Sequence, residues 1–359
     1  MSGISTRVLA LLLAVTACDA AFGEVRYKVI DLGTLGGYSS EACGLNNAGQ
    51  VVGRARYSEL STTQHAFLYS NGTMTDLGTL GGYNSVARAI NDAGQVVGGA
   101  QTSTSEEHAF LYSGGVMTDL HPNGWTDSGA YGINDSGQIV GRLMYYTSRS
   151  HPFVYSAGAM KDLGTLGGSW AVAGAINNAG QIVGGSEIQE YSSTFHAFLY
   201  SEGAMTDLGT MAPSTFSAAY DINDLGQIVG ESLNAMLWHN GQMSSLGTLP
   251  SPHSYYSEAY GINAAGSIVG ASFSHTMGME HAFLYCDGTM VDLNSLIDPR
   301  SGWTLRQATD INDLGQIVGW GETATSGHRA FLLIPEPATL SLLAVGGAAL
   351  LGRRRRRAR

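Results

Sequence analysis

A motif of the form Ile-Asn-x-x-Gly-Gln-x-Val-Gly recurs seven times, around Asn46, Asn91, Asn134, Asn177, Asn223, Asn263 and Asn312, at intervals of 40 to 49 residues. That spacing is the length of one four-stranded propeller blade, and it limits the fold more than any other feature of the chain. Each repeat reads as two hairpins. The first joins Ala-Ile-Asn to Gln-Val-Val-Gly through turns such as Asp92-Ala93-Gly94, and the second joins His-Ala-Phe-Leu-Tyr to Met-Thr-Asp-Leu through turns such as Ser70-Asn71-Gly72. Short β-branched and aromatic runs bounded by such turns are hairpin signals, because Gly and Asn reach the positive φ a tight turn needs.

The two ends of the repeat region complete one another. Half a repeat, Tyr27 to Leu32, precedes the first Asn motif, and His328 to Leu333 follows the last with no partner strand after it. If strands a to d run outward in each blade, the N-terminal segment is strand d of blade 7. Closure of this kind removes the open edges that a solenoid would have to cap. The expected fold is all-β, a seven-bladed propeller over residues 24–334 with terminal signal helices. A low charged fraction of 13% and 49 glycines fit strands packed on both faces.

Both termini read as addresses. Arg7, the apolar run Val8 to Thr16 and the small residues after it have the order of a secretory signal peptide over residues 1–23. Val15-Thr16-Ala17-Cys18 also fits a lipoprotein box, with Cys18 as the lipidated residue, and both readings of the leader stay open. At the other end, residues 335–359 hold Pro335-Glu336-Pro337, the apolar stretch Ala338 to Leu351, and Arg353, Arg354, Arg355, Arg356 and Arg357. The apolar stretch is short for an unaided span, and the arginines favour the cytoplasmic side.

This tripartite tail resembles the PEP-CTERM sorting signal. The resemblance implies export in a Gram-negative bacterium and transient anchoring in the inner membrane, facing the periplasm. It also implies an exosortase-type sorting enzyme as partner. The repeats resemble the HAF family of extracellular repeats, on the tripeptides beginning at His65, His108, His196 and His281, with His151-Pro152-Phe153 and Asn234-Ala235-Met236 as departures. That resemblance implies an exported protein and no particular activity.

The whole chain carries −11, and the region between the two addresses carries −16. Such a surface excludes nucleic acid, which needs clustered Lys and Arg. Cys43 and Cys286 fall in blades that are not neighbours, so no disulfide is expected. His65 with Asp76, His108 with Asp119, His151 with Asp162, His196 with Asp207 and His281 with Asp292 recur once per blade. A catalytic site occurs once per domain, so these pairs read as blade construction. The Asn-Asp-x-Gly turns lack the alternating acids of a calcium loop, and no nucleophile elbow or metalloprotease motif is present. The expectation is no enzyme, no metal and no cofactor.

Strand alternation puts the a–b and c–d turns on one face and the more varied b–c and d–a loops on the other, where function is expected. Each d–a loop carries an aromatic before its Asn: Tyr38, Tyr83, Trp125, Trp170, Phe216, Tyr256 and Trp303. These seven are the candidate ligand contacts around the channel mouth, with buried packing as the alternative. Tyr57, Tyr145, Tyr146 and Tyr191 join them from the b–c loops. The expected role is a surface or matrix repeat protein that contacts extracellular polysaccharide. The rivals are a protein-binding adhesion scaffold and, behind it, a polysaccharide hydrolase or lyase.

Overall fold

The computed structural model describes residues 27–336, apart from the short segments 60–61, 147–148, 191–193, 251–253, 275–279 and 324–326. The signal segment with Cys18, the tail from Pro337 onward, and Tyr191 lie outside the described residues. Seven four-stranded antiparallel sheets follow one another along the chain. Blade 1 shows the pattern, with strands a to d at Ser40–Leu45, Val51–Arg56, Gln64–Ser70 and Thr73–Gly78. Two short 3-10 turns, Leu293–Leu296 and Pro299–Ser301, interrupt the d–a connection before blade 7. Asp292 and Asp298 cap them by accepting the amides of Asn294 and Arg300.

Blade 7 is assembled from both ends of the chain. Strand a is Trp303–Ile311, b is Ile317–Thr323, c is Arg329–Pro335, and the fourth strand is Tyr27–Asp31. The N-terminal strand pairs antiparallel with strand c, Tyr27 opposite Pro335 and Asp31 opposite Phe331. Phe331 faces Asp31 as Phe67 faces Asp76, so Arg329, and not His328, takes the place of His65. Arg329 accordingly pairs with Asp31 at 3.1 Å.

The motif residues explain themselves in this frame. Asn46 closes the a–b turn: its side-chain oxygen accepts the amides of Ala48 and Gln50, while Gly49 takes φ 74°. Its amide nitrogen reaches the next blade and donates to the carbonyl of Asn91 at 3.0 Å. The same bond links Asn91 to Asn134, Asn134 to Asn177, Asn177 to Asn223, Asn223 to Asn263, Asn263 to Asn312, and Asn312 back to Asn46. Seven buried amides thus form a closed hydrogen-bonded ring around the channel.

The Gly of Val-Val-Gly is a packing requirement: a Cβ on Gly53 would sit 2.0 Å from the Glu41 carbonyl oxygen. Against that glycine packs the Phe of the third strand. Phe67, Phe110, Phe153, Phe198, Phe283 and Phe331, with Met236 in blade 5, are fully buried. Burying a side chain of this class stabilises by roughly 1.5–3 kcal/mol.

Candidate functional site: the central channel

The His–Asp pairs form as expected, at 2.8 Å for His65–Asp76, 2.7 Å for His108–Asp119, His151–Asp162 and His281–Asp292, and 2.9 Å for His196–Asp207. Each of these aspartates also accepts the backbone amide two residues on. Both groups serve the c–d edge of their own blade, which is construction. In blade 5, Ser245 takes over the turn bond to Gly247.

The channel mouth beside the a–b turns is a second ring. The residue after each motif Asn bonds its neighbour, Asn47 to Asp92, Asp92 to Asp135, Asp135 to Asn178 and Asn178 to Asp224. Beyond a break at Ala264, which has no acceptor for Asp224, it resumes from Ala264 to Asp313 and from Asp313 to Asn47. These turns enclose about 200 Å³. Among the described residues no group of three His, Cys, Asp or Glu is placed to hold a metal ion.

Deeper in, the repeat gives way to individuality. In every blade, strand a carries a β-bulge at the residue three before the motif Asn: Cys43, Arg88, Tyr131, Gly174, Tyr220, Tyr260 and Thr309. A bulge adds an unpaired residue and re-aims its side chain. All seven line one channel cavity of about 210 Å³. The residue before each bulge is Ala in every blade, whereas the bulge residue ranges from Gly to Arg and Tyr. Sequence reasoning looked for acids and bases that recur and passed over this position. Its signal was the most variable position inside a segment that otherwise keeps Ala, Ile or Leu, and Asn in place.

The next residue inward is small except in blades 5 and 7, where it is Asp221 and Asp310. Burial pushes Asp221 up to about 6 and Asp310 up to about 7, and the charge of Asp221 adds to the rise at Asp310. Burial likewise pushes the Cys43 thiol up to about 12, helped by the charge of Glu41, so it is not a nucleophile near neutrality. Cys43 and Cys286 are not joined to one another, as their places in blades that are not neighbours required.

Toward the d–a side the wall is polar. Glu41 pairs with Arg54 at 2.6 Å and faces His328 at 3.7 Å, and these partners outweigh burial and hold its carboxyl below the ordinary value. Trp320 donates to Gln307 at 2.7 Å and stacks on His328. The Tyr220 hydroxyl donates to Glu231, and that of Tyr260 donates to Glu258. Burial lifts both glutamates despite those bonds, and Glu258 rises further beside Glu231.

The seven loop aromatics divide. Tyr38, Tyr83 and Phe216 are exposed, whereas Trp125, Trp170, Tyr256 and Trp303 are half-buried. Their ring partners differ from blade to blade. Tyr38 lies under Arg56 at 4.3 Å, Trp125 tilts against His151 and Phe216 stacks on Phe195. Tyr256 stacks on Phe273, and Trp303 meets Phe331 edge-on.

Comparison with known proteins bears on the tail and the fold. Residues 333–357 match the PEP-CTERM protein-sorting motif. The chain carries this exosortase-recognised signal, which points to an exported protein of a Gram-negative bacterium. No curated protein matches the chain. Among solved structures, a puromycin-hydrolysing peptidase of Mycobacterium tuberculosis is 12% identical with a TM-score of 0.56 over 91% of this chain and 53% of that one. This chain therefore spans about half the length of that peptidase. A structure described as YCF48 bound to D1 peptide is 9% identical, with a TM-score of 0.53 over 88% of this chain and 99% of that one. Identities this low show a shared fold and nothing further.

Proposed function

We propose that the chain is an exported, non-enzymatic repeat protein of the cell surface or extracellular matrix, and that it holds extracellular polysaccharide on its loop-rich face. The observation that carries this reading is where the exposed aromatics stand. Tyr38, Tyr57, Tyr83, Tyr145, Tyr146, Phe216 and Tyr255 are all exposed, and all belong to the face of the b–c and d–a loops. The exposed large apolar residues of the a–b and c–d turns, Val116, Leu225 and Leu314, include no aromatic. Flat rings with a polar hydroxyl at one end suit the alternating C–H and O–H surface of a sugar, and variable loops on a rigid scaffold suit recognition. The His–Asp pairs, repeated and engaged in blade construction, support a role without catalysis.

Affinity electrophoresis through gels containing the producing strain's own exopolysaccharide tests the reading. The wild-type protein is expected to be retarded. A Tyr38→Ala, Tyr83→Ala, Phe216→Ala variant is expected to migrate freely with an unchanged melting temperature, since the three rings are exposed. Retardation that survives the triple substitution, or none in the wild type, removes polysaccharide as the ligand of this face.

A further inference from the structure

The sorting signal begins inside the fold. Its match starts at Leu333, and Leu333, Ile334 and Pro335 end strand c of blade 7, paired with Val29, Lys28 and Tyr27. Strand direction decides where the signal leaves the propeller. Leu333 lies opposite Ile317, the residue after the a–b turn that Asn312 and Gln316 close. Arg329, at the start of the strand, lies opposite Gly321, toward the b–c loop. Pro335 therefore stands on the face of the a–b and c–d turns, and Glu336 beyond it is exposed. The loop-rich face, with its exposed aromatics, is a strand length away, about 20 Å for the seven residues of strand c. Only Glu336 and Pro337 separate that strand from the apolar stretch that starts at Ala338. Three residue steps reach at most about 11 Å, whereas a small domain is about 30 Å across. An enzyme that holds the tail must abut the turn face and cannot reach the other one.

The chemistry of the turn face is one-sided. Acids stand on its turns at Asp92, Asp135, Glu202, Asp224, Asp287 and Asp313, and no a–b or c–d turn contains Lys or Arg. Leu314, on the a–b turn of blade 7 where the signal leaves, is exposed. We propose that the turn face around Leu314, Asp313 and Asp287 is the docking surface for the exosortase-type sorting enzyme, which meets it with a surface rich in Lys and Arg. The loop-rich face points away from the enzyme and stays open while the tail is engaged. An exposed leucine rimmed by carboxylates has the apolar centre and polar edge of a transient interface. The same charge repels anionic lipid headgroups and favours a basic protein surface. The inference rests on sorting through the tail and not on polysaccharide binding, so either can fail alone.

The experiment is photo-cross-linking of the full-length chain, co-expressed with the tagged sorting enzyme of the producing strain. The photoreactive residue p-benzoylphenylalanine is placed in turn at Leu314 and Thr289 on the turn face, at Tyr57 and Tyr83 on the loop-rich face, and at Ala338 in the tail. The four propeller positions are exposed, and a melting curve matching the wild type qualifies each variant. Adducts with the enzyme are expected from Ala338, Leu314 and Thr289. Those from the turn face should exceed those from Tyr57 and Tyr83 at least about tenfold, because the short tether keeps the latter out of reach. Asp287→Lys, and separately about 0.5 M salt, should each lower the Leu314 adduct about threefold, the weight of an exposed ion pair. An Ala338 adduct with loop-face adducts as strong as those of the turn face overturns the docking surface. A Leu314 adduct that neither Asp287→Lys nor salt weakens overturns the basic partner surface. No adduct from any position, Ala338 included, means that the enzyme does not engage this tail, and the proposal falls with that reading.

Discussion

Asp310 in blade 7 accepts the backbone amide of Leu45 in blade 1 at 2.9 Å, so a carboxylate inside the channel grips the first strand across the ring's closing joint. Asp221 does the same for Ile262 in blade 6, also at 2.9 Å. Each aspartate in addition accepts the amide that follows it in the chain. Burial nevertheless outweighs these bonds and keeps both carboxyls protonated well above the ordinary value of 3.8.

The sign of the resulting pH dependence follows. Between 3.8 and the raised values of about 6 and about 7, the folded protein holds protons that the unfolded chain has released. Stability from these groups is therefore complete below about pH 4 and is lost as pH rises through 6 and 7. Calorimetry at pH 5, 6, 7 and 8 is expected to show a falling melting temperature. In Asp310→Asn the fall should be shallower by about 3 °C, the order of 1 kcal/mol. The His281–Asp292 pair, whose histidine is raised by that bond, also loses stability with rising pH. It is common to both proteins and cancels in the difference. Parallel curves for the two proteins contradict the assignment.

How far the sequence reached depends on repetition. The Asn turns, the His–Asp edges and the half-blade at each end were legible because each recurs with its turn glycine and its β-branched strand, whereas the bond from each Asn to the next blade was not. The channel site was not. A period-two reading sends alternate residues of strand a to opposite faces, yet the bulge at Tyr220 places both Tyr220 and Asp221 along the cavity. The aromatics were legible as loop residues, but not in depth. Tyr83 is 73% exposed while Trp303, at the same place in its blade, packs beside the core around Leu305. The 3-10 turns at Leu293–Leu296 and Pro299–Ser301 reroute that loop, and the repeat gives no sign of them.

Closure of the ring depends on the strand Tyr27–Asp31. Removing residues 24–33 should leave the edge of Arg329–Pro335 bare and strip the cover from Leu332 and Phe331. The expected result is aggregation or a large loss of melting temperature, because an unpaired edge recruits other chains. A monomeric profile on size-exclusion chromatography with an unchanged melt would show that blade 7 is complete without this strand.

Asn134 tests the amide ring at a position far from the joint. Its nitrogen donates to Gln138 and to the Asn177 carbonyl, and its oxygen accepts from Ser136 and the Gln138 amide. Asn134→Ala leaves several buried groups without partners, at about 1–3 kcal/mol for each one that finds no replacement. Asn134→Asp keeps the acceptor and the shape but loses both donors, so it should rescue little. Denaturant titration of the two variants decides the point. An aspartate variant as stable as the wild type would mean that the inter-blade donor contributes nothing.

Pro152 and Ala171 offer the narrowest test of how blades are joined. At five other joints a buried serine at the start of strand a accepts the amide of the corresponding alanine of the preceding blade, as Ser85 does from Ala66 at 2.8 Å and Ser217 from Ala197 at 2.8 Å. The same serines donate to a glycine carbonyl of that blade, Gly78 for Ser85 and Gly209 for Ser217. Between blades 3 and 4 the alanine is Pro152, which has no amide hydrogen, and the serine is Ala171. The joint is held instead by Ser150, whose hydroxyl donates to the Ala171 carbonyl at 3.0 Å. Ala171→Ser alone can recover only the bond to the glycine carbonyl. Together with Pro152→Ala it recovers both, so the double variant should exceed the sum of the single changes by roughly 0.5–1.5 kcal/mol. Thermal and urea melts of the two single variants and the double variant supply the cycle. Strict additivity would mean that the serine bridge is not what fastens one blade to the next.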